Sequence, residues 1–278
     1  MKRACVIGWP IAHSRSPMIH NFWLRQYGIE GTYSKEAVKP ENLNAFLQSL
    51  EANGFRGCNV TVPHKEPAFA IASIREPSAL AVNAANTLWL ESGRLACANT
   101  DTYGFMANLD ASAPDWKSQT GPIIVLGAGG SARAVVYGFL EAGMGDIRLF
   151  NRTQIRAAEI ARHFGSRVTA FPWDERNAHV SNAAVIVNTT TLGLNGVGNP
   201  EIDFSRTNPK AVIADLVYVP LETQFLKAAR AYGLVGVDGL GMLLHQAVPG
   251  FEKWFGVRPT VTPALYNLVA EDIGGGKC

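Results

Sequence analysis

The chain is poor in most features that mark specialised proteins. It has four cysteines (Cys5, Cys58, Cys97 and Cys278), and none stands in a CxxC or other metal-ligating spacing. Three of them fall in apolar, strand-like surroundings where free buried thiols are common, which suits a reducing cytoplasm. No apolar run approaches the ~18 residues of a membrane span, and residues 1–8 hold one short apolar run before a turn, too short for a signal peptide. A cytoplasmic protein is the expectation. Charged residues make up only 17% of the chain and the net charge is +2. Lys and Arg are scattered, leaving no basic stripe for nucleic acid and no polybasic segment for a membrane. Small charged metabolites remain as partners. There is no internal repeat and no low-complexity segment.

What is present is a globular composition: 278 residues, 47% hydrophobic, enough to bury a sizeable core and to divide into two domains. Short β-rich runs alternate with helical stretches, the signature of βαβ units and mostly parallel sheets. Residues 3–7, 32–37 and 57–62 read as strands; 17–27 and 42–52 read as helices, ended by Gly28 and Gly54. Residues 85–91 and 94–98 form a hairpin turning at Ser92-Gly93. The pattern then restarts, with strands at 122–126, 146–151, 183–188 and 211–215 and helices at 132–142, 154–164 and 223–232. A helix at 242–255, too apolar on one face to stand free, is expected to pack back on the first domain. The expected division is an N-terminal α/β domain of residues 1–101 plus 240–278, and a Rossmann-type domain of residues 102–239. The glycine-rich tail, residues 274–278, is expected to be disordered.

Gly127-Ala128-Gly129-Gly130-Ser131-Ala132 fits G-x-G-x-x-[G/A] directly after an apolar strand and directly before a helix. The first glycine permits the tight turn, the second lets a pyrophosphate approach the backbone, and Ala132 allows close helix–strand packing. The pattern alone is weak; its strand–loop–helix context is what points to a dinucleotide. At the end of the next strand, NAD sites carry an Asp or Glu for the ribose 2′-OH, whereas this chain has Asn151-Arg152-Thr153, with Arg156 one turn on. Guanidinium groups there match a 2′-phosphate in charge and geometry, so NADP(H) is expected. The competing reading is a pair of solvated surface arginines.

Several polar residues in the first half admit two explanations each. Ser14-Arg15-Ser16-Pro17 opens a helix, where Ser16 fits as an N-cap with Pro17 at the first helical position. A helix start with two free hydroxyls equally suits a carboxylate ligand, and local sequence does not separate the two. Lys65 follows Val62-Pro63-His64 at another helix start. The helix dipole disfavours a cation there, one of the conditions that make a lysine useful as a general acid or base, although most such lysines are only solvated. His64 is given no role. Asp101 fits as the N-cap of a helix over 102–109. Asn86 in an apolar strand and Gln246 in an apolar helix are costly if buried without partners, and are either ligand contacts or satisfied core amides.

Read together, Val6-Ile7-Gly8-x-Pro10-Ile11-x-His13-Ser14-x-Ser16-Pro17, Asn59-Val60-Thr61-Val62-Pro63-x-Lys65, Ala85-Asn86-Thr87, Asn99-Thr100-Asp101, Gly127-Ala128-Gly129-Gly130, Asn151-Arg152-Thr153, Asn188-Thr189-Thr190, Asp215-Leu216-Val217-Tyr218 and the segment 239–246 resemble the shikimate dehydrogenase family over nearly the whole chain, in the right order. The resemblance implies NADPH-dependent reduction of 3-dehydroshikimate to shikimate, in aromatic amino-acid biosynthesis, with no metal. It implies that Ser14 and Ser16 hold the substrate carboxylate with Tyr218 nearby. Thr61, Asn86 and Gln246 would bind ring hydroxyls, and Lys65 with Asp101 would act at the reacting carbon. It further implies that Thr189, Leu216 and Gly239 join residues 127–131 and the 151–156 segment in lining a cofactor cleft between the domains.

The sequence departs from the family pattern in three places: Cys97-Ala98 stands where Gly-Asp is usual, Asn83 where a glycine is usual, and Pro249-Gly250 should kink or end the helix after Gln246. Asn tolerates φ > 0 better than most residues, so the backbone at 83 is expected to survive. Two rival readings stay open. One is a quinate/shikimate or amino-shikimate dehydrogenase; the other is an NADP-binding sensor without catalysis. A monomer or a homodimer is compatible with the sequence.

Overall fold

The computed structural model describes residues 1–275; of the tail expected to be disordered, residues 276–278 lie outside the described residues. The chain forms two compact units, Met1–Tyr103 with Leu244–Val269, and Gly104–Leu243 with the residues from Ala270 on. The sequence reading put everything from residue 240 with the first unit.

The first unit follows the order β1 (Lys2–Gly8), α1 (Ser16–Gln26), β2 (Gly31–Ala37), α2 (Leu43–Gln48), β3 (Phe55–Val60), α3 (Lys65–Ile71), β4 (Ile74–Arg75), α4 (Pro77–Val82), β5 (Thr87–Glu91), β6 (Arg94–Ala98) and the start of α5 (Asp101–Ser112). Its six strands lie in the order β2-β1-β3-β5-β6-β4. Neighbours pair parallel except β5, which is antiparallel to both β3 and β6. The β5–β6 turn at Ser92-Gly93 has positive φ at both residues (49° and 73°), as a tight hairpin needs. Asn83 caps the end of α4 in the left-handed region (φ 54°, ψ 37°), so the backbone there survives without glycine.

Three expectations for this unit are corrected. The helix read over 42–52 is a single 3₁₀ turn followed by α2, which stops at Gln48; Ser49 caps it, its hydroxyl bonding back to the Ala45 carbonyl at 2.9 Å. Strand β4 and helix α4 are additional elements, both too short to show a period. The helix read over 242–255 is two helices, α9 (Gly239–His245) and α10 (Ala247–Phe255), broken at Gln246 and not at Pro249. Pro249 sits in the first turn of α10, where its missing N–H costs nothing.

Helix α10 covers the sheet of the first unit, as its apolar face requires. Phe251, Trp254 and Phe255 are buried, and the Trp254 indole donates to the Leu88 carbonyl at 2.9 Å. Gly57 makes that seat possible: a Cβ there would stand 2.1 Å from Trp254 Nε1 and 2.2 Å from Leu88 O. Losing an aromatic anchor of this kind costs about 3–5 kcal/mol. Helix α11 (Pro263–Gly275) runs through Gly274 and Gly275, which are helical and not disordered.

The second unit contains β7 (Ile123–Leu126), α6 (Gly130–Glu141), β8 (Ile147–Asn151), α7 (Gln154–Phe164), β9 (Val168–Pro172), β10 (Val185–Asn188), β11 (Val212–Asp215), α8 (Gln224–Ala231) and β12 (Val235–Val237). All its strands are parallel, in the order β12-β11-β10-β7-β8-β9. This is the doubly wound arrangement, and its order reverses between β7 and β10. β7, β10 and β11 are buried along their whole length, which is why they read as unbroken apolar runs. Among the described residues no helix is long and apolar enough to cross a membrane.

Candidate active site

In the first unit, β3 hands the chain to a short turn at its carboxyl end, and that turn aims two neighbours in opposite directions. His64 goes inward, buried, its Nε2 bonded to the Val38 carbonyl at 2.7 Å, so it is a core histidine. Lys65, the first residue of α3, goes outward and its Nζ donates to Asp101 Oδ2 at 2.6 Å. The pair is neither buried nor solvated, at 31% and 13% exposure. Asp101 is the first residue of α5, and its carboxylate is spent on Lys65 and on Asn86 Nδ2, which donates to Oδ1 at 2.8 Å. The cap reading of Asp101 therefore gives way to a role within the cluster.

Asn86 is held on all sides. Its Oδ1 accepts from Thr100 N (2.8 Å) and Thr87 Oγ1 (3.0 Å). Only its NH₂ is left to face Asp101 and, at 3.4 Å, Gln246 Oε1. Gln246 enters at the break between α9 and α10, where its backbone carbonyl accepts from Thr100 Oγ1 at 2.8 Å. Beneath Asn86 lies Asn59, buried in β3, donating to Asn86 O and Thr87 Oγ1 at 3.1 Å each and accepting from the Tyr33 hydroxyl at 2.6 Å. Burial pushes the Tyr33 phenol up. Hydrogen bonds thus run without a break from Tyr33 to Lys65.

Ser14 and Ser16 meet at 3.3 Å between hydroxyls. The cap reading of Ser16 is corrected: Arg15 occupies the cap position in α-helical geometry, Ser16 is already in the helix, and it is Ser14 Oγ that accepts the Ser16 amide. Thr61 lies half-buried in the turn after β3, its amide on the Ile7 carbonyl. Ser14, Ser16, Thr61, Lys65, Asn86, Asp101 and Gln246 all belong to the first unit; Tyr218 belongs to the second, on the loop after β11. Asn59, Thr87 and Thr100 were assigned no role from the sequence. Asn59 had the same signal as Asn86, a polar residue in an apolar strand.

In the second unit the glycine-rich turn follows β7. Gly127 has φ 111°, and a Cβ there would stand 2.6 Å from Thr189 Oγ1. Gly129 and Gly130 differ: nothing lies within 4 Å of where their Cβ atoms would be, and Gly129 has φ −97°. Neither the fold's packing nor, at Gly129, its backbone demands glycine, so the vacant approach to the backbone fits a group from outside, as a pyrophosphate would need. Ala128 and Ser131 complete the turn. At the end of β8, Asn151 Nδ2 bonds to Thr153 O at 2.8 Å, and Arg152 and Arg156 are exposed. Among the described residues neither arginine pairs with a carboxylate, which leaves both cationic groups available to an anion.

Thr189 follows β10 and donates to Leu126 O at 2.7 Å, directly before Gly127. The Leu216 amide donates to Asn188 O at 3.0 Å, and Gly239 lets α9 begin against the Leu216 carbonyl, 2.4 Å from where its Cβ would be. Asp215, which ends β11, is buried and accepts from Asn188 Nδ2 (2.8 Å), Val217 N (3.0 Å) and Thr223 Oγ1 (2.6 Å). Burial raises its carboxyl to about 6, against the pull of these three donors.

Three family models match in chain order: the shikimate dehydrogenase substrate binding domain over residues 6–88, shikimate/quinate 5-dehydrogenase over 110–222, and the shikimate 5′-dehydrogenase C-terminal domain over 239–263. The shikimate dehydrogenase (NADP(+)) of Brucella canis is 55% identical over 275 residues, 98% of this chain and 95% of that one. The Thermus thermophilus shikimate 5-dehydrogenase in complex with NADP(H) and shikimate superposes with a TM-score of 0.85 at 36% identity, covering 98% of this chain and all of that one. The Corynebacterium glutamicum quinate dehydrogenase in complex with NAD gives 0.87 at 26% identity, covering 96% and 98%.

Proposed function

Because the chain belongs to the shikimate dehydrogenase family, we propose which of its own residues carry the activity. The protein is an NADP-dependent shikimate dehydrogenase that reduces 3-dehydroshikimate reversibly to shikimate. The reduced nicotinamide supplies the hydride. Substrate binds to residues 1–101 with 240–278, and NADP(H) to residues 102–239. The Lys65–Asp101 pair, 2.6 Å apart and partly open to solvent, is the observation that carries the assignment. Lys65 gives its proton to the alkoxide oxygen that forms at C3 as the carbonyl is reduced, and takes one back when shikimate is oxidised. Asp101, its second oxygen held by Asn86, keeps the ammonium aimed at that oxygen. Ser14 and Ser16 take the carboxylate; Thr61, Asn86 and Gln246 take ring hydroxyls, with Tyr218 as a further contact. In the second unit, Gly127 to Ser131 take the pyrophosphate, and Asn151, Arg152, Thr153 and Arg156 the 2′-phosphate. Thr189, Leu216 and Gly239 shape the rest of that surface. Monomer or homodimer, the protein works in the cytoplasm.

Absorbance of NADPH formed from NADP⁺ with shikimate and with quinate, side by side, tests the reading. Quinate adds a hydroxyl at a tetrahedral C1, which a site shaped for the planar acid leaves poorly paired, at a cost of about 1–3 kcal/mol. Shikimate should therefore lead in kcat/KM by about 5–150-fold. Equal values would place the protein among quinate/shikimate dehydrogenases, and NADPH binding without turnover of either acid would make it a sensor.

A further inference from the structure

We propose that Asp215 is a positioning residue for the dinucleotide site, acting through Asn188 on the loop that supports the glycine-rich turn. The inference rests on the assignment of NADP(H) to the second unit.

The carboxylate joins three segments at the carboxyl end of the second sheet's strands: the end of β10 through Asn188, the loop after β11 through the Val217 amide, and the start of α8 through Thr223. Thr223 at the same time caps α8 by accepting the Leu226 amide. All three partners of Asp215 are neutral donors. A carboxylate buried at 1% exposure among neutral groups is expensive to maintain, which asks for a reason beyond packing.

That reason lies in what Asn188 does next. A carboxylate accepts only, so it dictates that the NH₂ of Asn188 points toward β11 and the oxygen points away. That oxygen then gathers the Thr190 amide (3.1 Å) and hydroxyl (2.7 Å), while the NH₂ also reaches the Leu192 carbonyl (3.0 Å). Residues 188–192 are thereby wound around one side chain of fixed orientation. Within this winding, Thr189 bonds to the last carbonyl of β7 and lies 2.6 Å from the missing Cβ of Gly127, with Thr190 Cγ2 at 3.0 Å. The first glycine of the turn rests directly on the loop that Asn188 shapes and Asp215 orients. Through Val217 the same carboxylate fixes the turn that carries Leu216 and Tyr218.

Asp215→Asn keeps the shape and removes the charge; Thr223→Val removes the donor to the second oxygen. Isothermal titration of each full-length variant with NADP⁺ and, separately, with shikimate tests the proposal. Bonds to a charged acceptor are about twice as strong as neutral ones, so Asp215→Asn should weaken NADP⁺ binding roughly tenfold. Thr223→Val should weaken it less, and the Kd for shikimate, which Asp215 reaches only through Tyr218, should change less than that for NADP⁺ in both. At saturating NADP⁺, kcat should remain close to wild type. Wild-type NADP⁺ affinity in both folded variants would overturn the proposal, and so would an equal loss for the two ligands, which marks general destabilisation. Failure of the wild-type protein itself to bind NADP⁺ would instead sink the cofactor assignment.

Discussion

On the assignments proposed above, the two units meet their ligands with opposite means. The first works with side chains: lysine, aspartate and amides brought from both ends of the sequence and locked by Thr87, Thr100, Asn59 and Tyr33. The second offers backbone to the pyrophosphate, exposed where Gly129 and Gly130 leave side chains out, and keeps its side chains for the 2′-phosphate, at Arg152 and Arg156, and for holding loops. The difference teaches where substitutions will register. Changes in the first unit should strike the chemical step, and changes in the second should strike affinity for one ligand.

The strongest test of that contrast is Lys65→Ala, expected to lower kcat by about 10²–10⁴ while NADP⁺ affinity holds. A folded variant with more than about a tenth of wild-type kcat would break it. Arg152→Ala should act in the other unit, costing roughly 1.5–3 kcal/mol of 2′-phosphate recognition, about 10–150-fold in kcat/KM with NADP⁺, and leaving the weaker NAD⁺ value alone. An equal drop with both cofactors would remove Arg152 from the 2′-phosphate site. Gly129→Val sharpens the comparison further. Since nothing lies within 4 Å of that Cβ, the fold should lose no more than a poorer N-cap of α6 costs, about 0.5–2 kcal/mol. A bound pyrophosphate, however, would meet the new side chain, at a cost of roughly 1–3 kcal/mol, or about 5–150-fold in Kd. Unchanged NADP⁺ affinity would show that the open backbone is not where the cofactor lies.

The smallest effect concerns acid. His20, fully buried against Tyr33, Trp23, Phe251 and Trp254, has its pKa pushed by burial to about 3 from 6.5. Between those values the unfolded chain holds a proton that the folded one refuses, so His20 costs stability as pH falls through that window. Asp215 runs the other way: raised to about 6 from 3.8, it holds a proton only in the folded state, and its contribution grows as pH falls through its window. From about 6 down to 4 the two oppose each other. Asp215→Asn should therefore steepen the loss of unfolding free energy with acid by up to about 1.4 kcal/mol per pH unit, and His20→Phe should flatten it. Parallel curves for wild type and both variants would refute the pairing.

The contrast also explains what is legible in the sequence alone. The second unit was legible in detail, because fully buried parallel strands make unbroken apolar runs and α7 has both a clear start and Gly165 after its end. Short edges escaped: β9 ends in proline and β12 is Val-Gly-Val, neither long enough for a pattern. In the first unit, Lys65 and Asp101 stand 36 residues apart. No local rule joins them, and only the family resemblance did. The locking residues were harder still, since a threonine that bonds to Asn86 looks, in sequence, like any strand-end threonine. Gln246 was found in an apolar helix, but the break that frees its carbonyl was placed three residues late, because the proline that signals helix breaks sits in a position that tolerates it.

The seat of Trp254 over Gly57 has a consequence for the order of assembly on the ribosome. The second unit is, save for its last helical turns, one uninterrupted stretch, complete once residue 243 has emerged. The first unit begins the chain but lacks the cover for its sheet until residue 254 is made, roughly 8–30 s after residue 103 at ordinary rates of synthesis. A nascent chain arrested once residue 243 has emerged but residue 254 has not should resist protease across the second unit and be cut across the first; the reverse pattern would contradict this. Of the two units, the one translated earlier should be the later to finish folding.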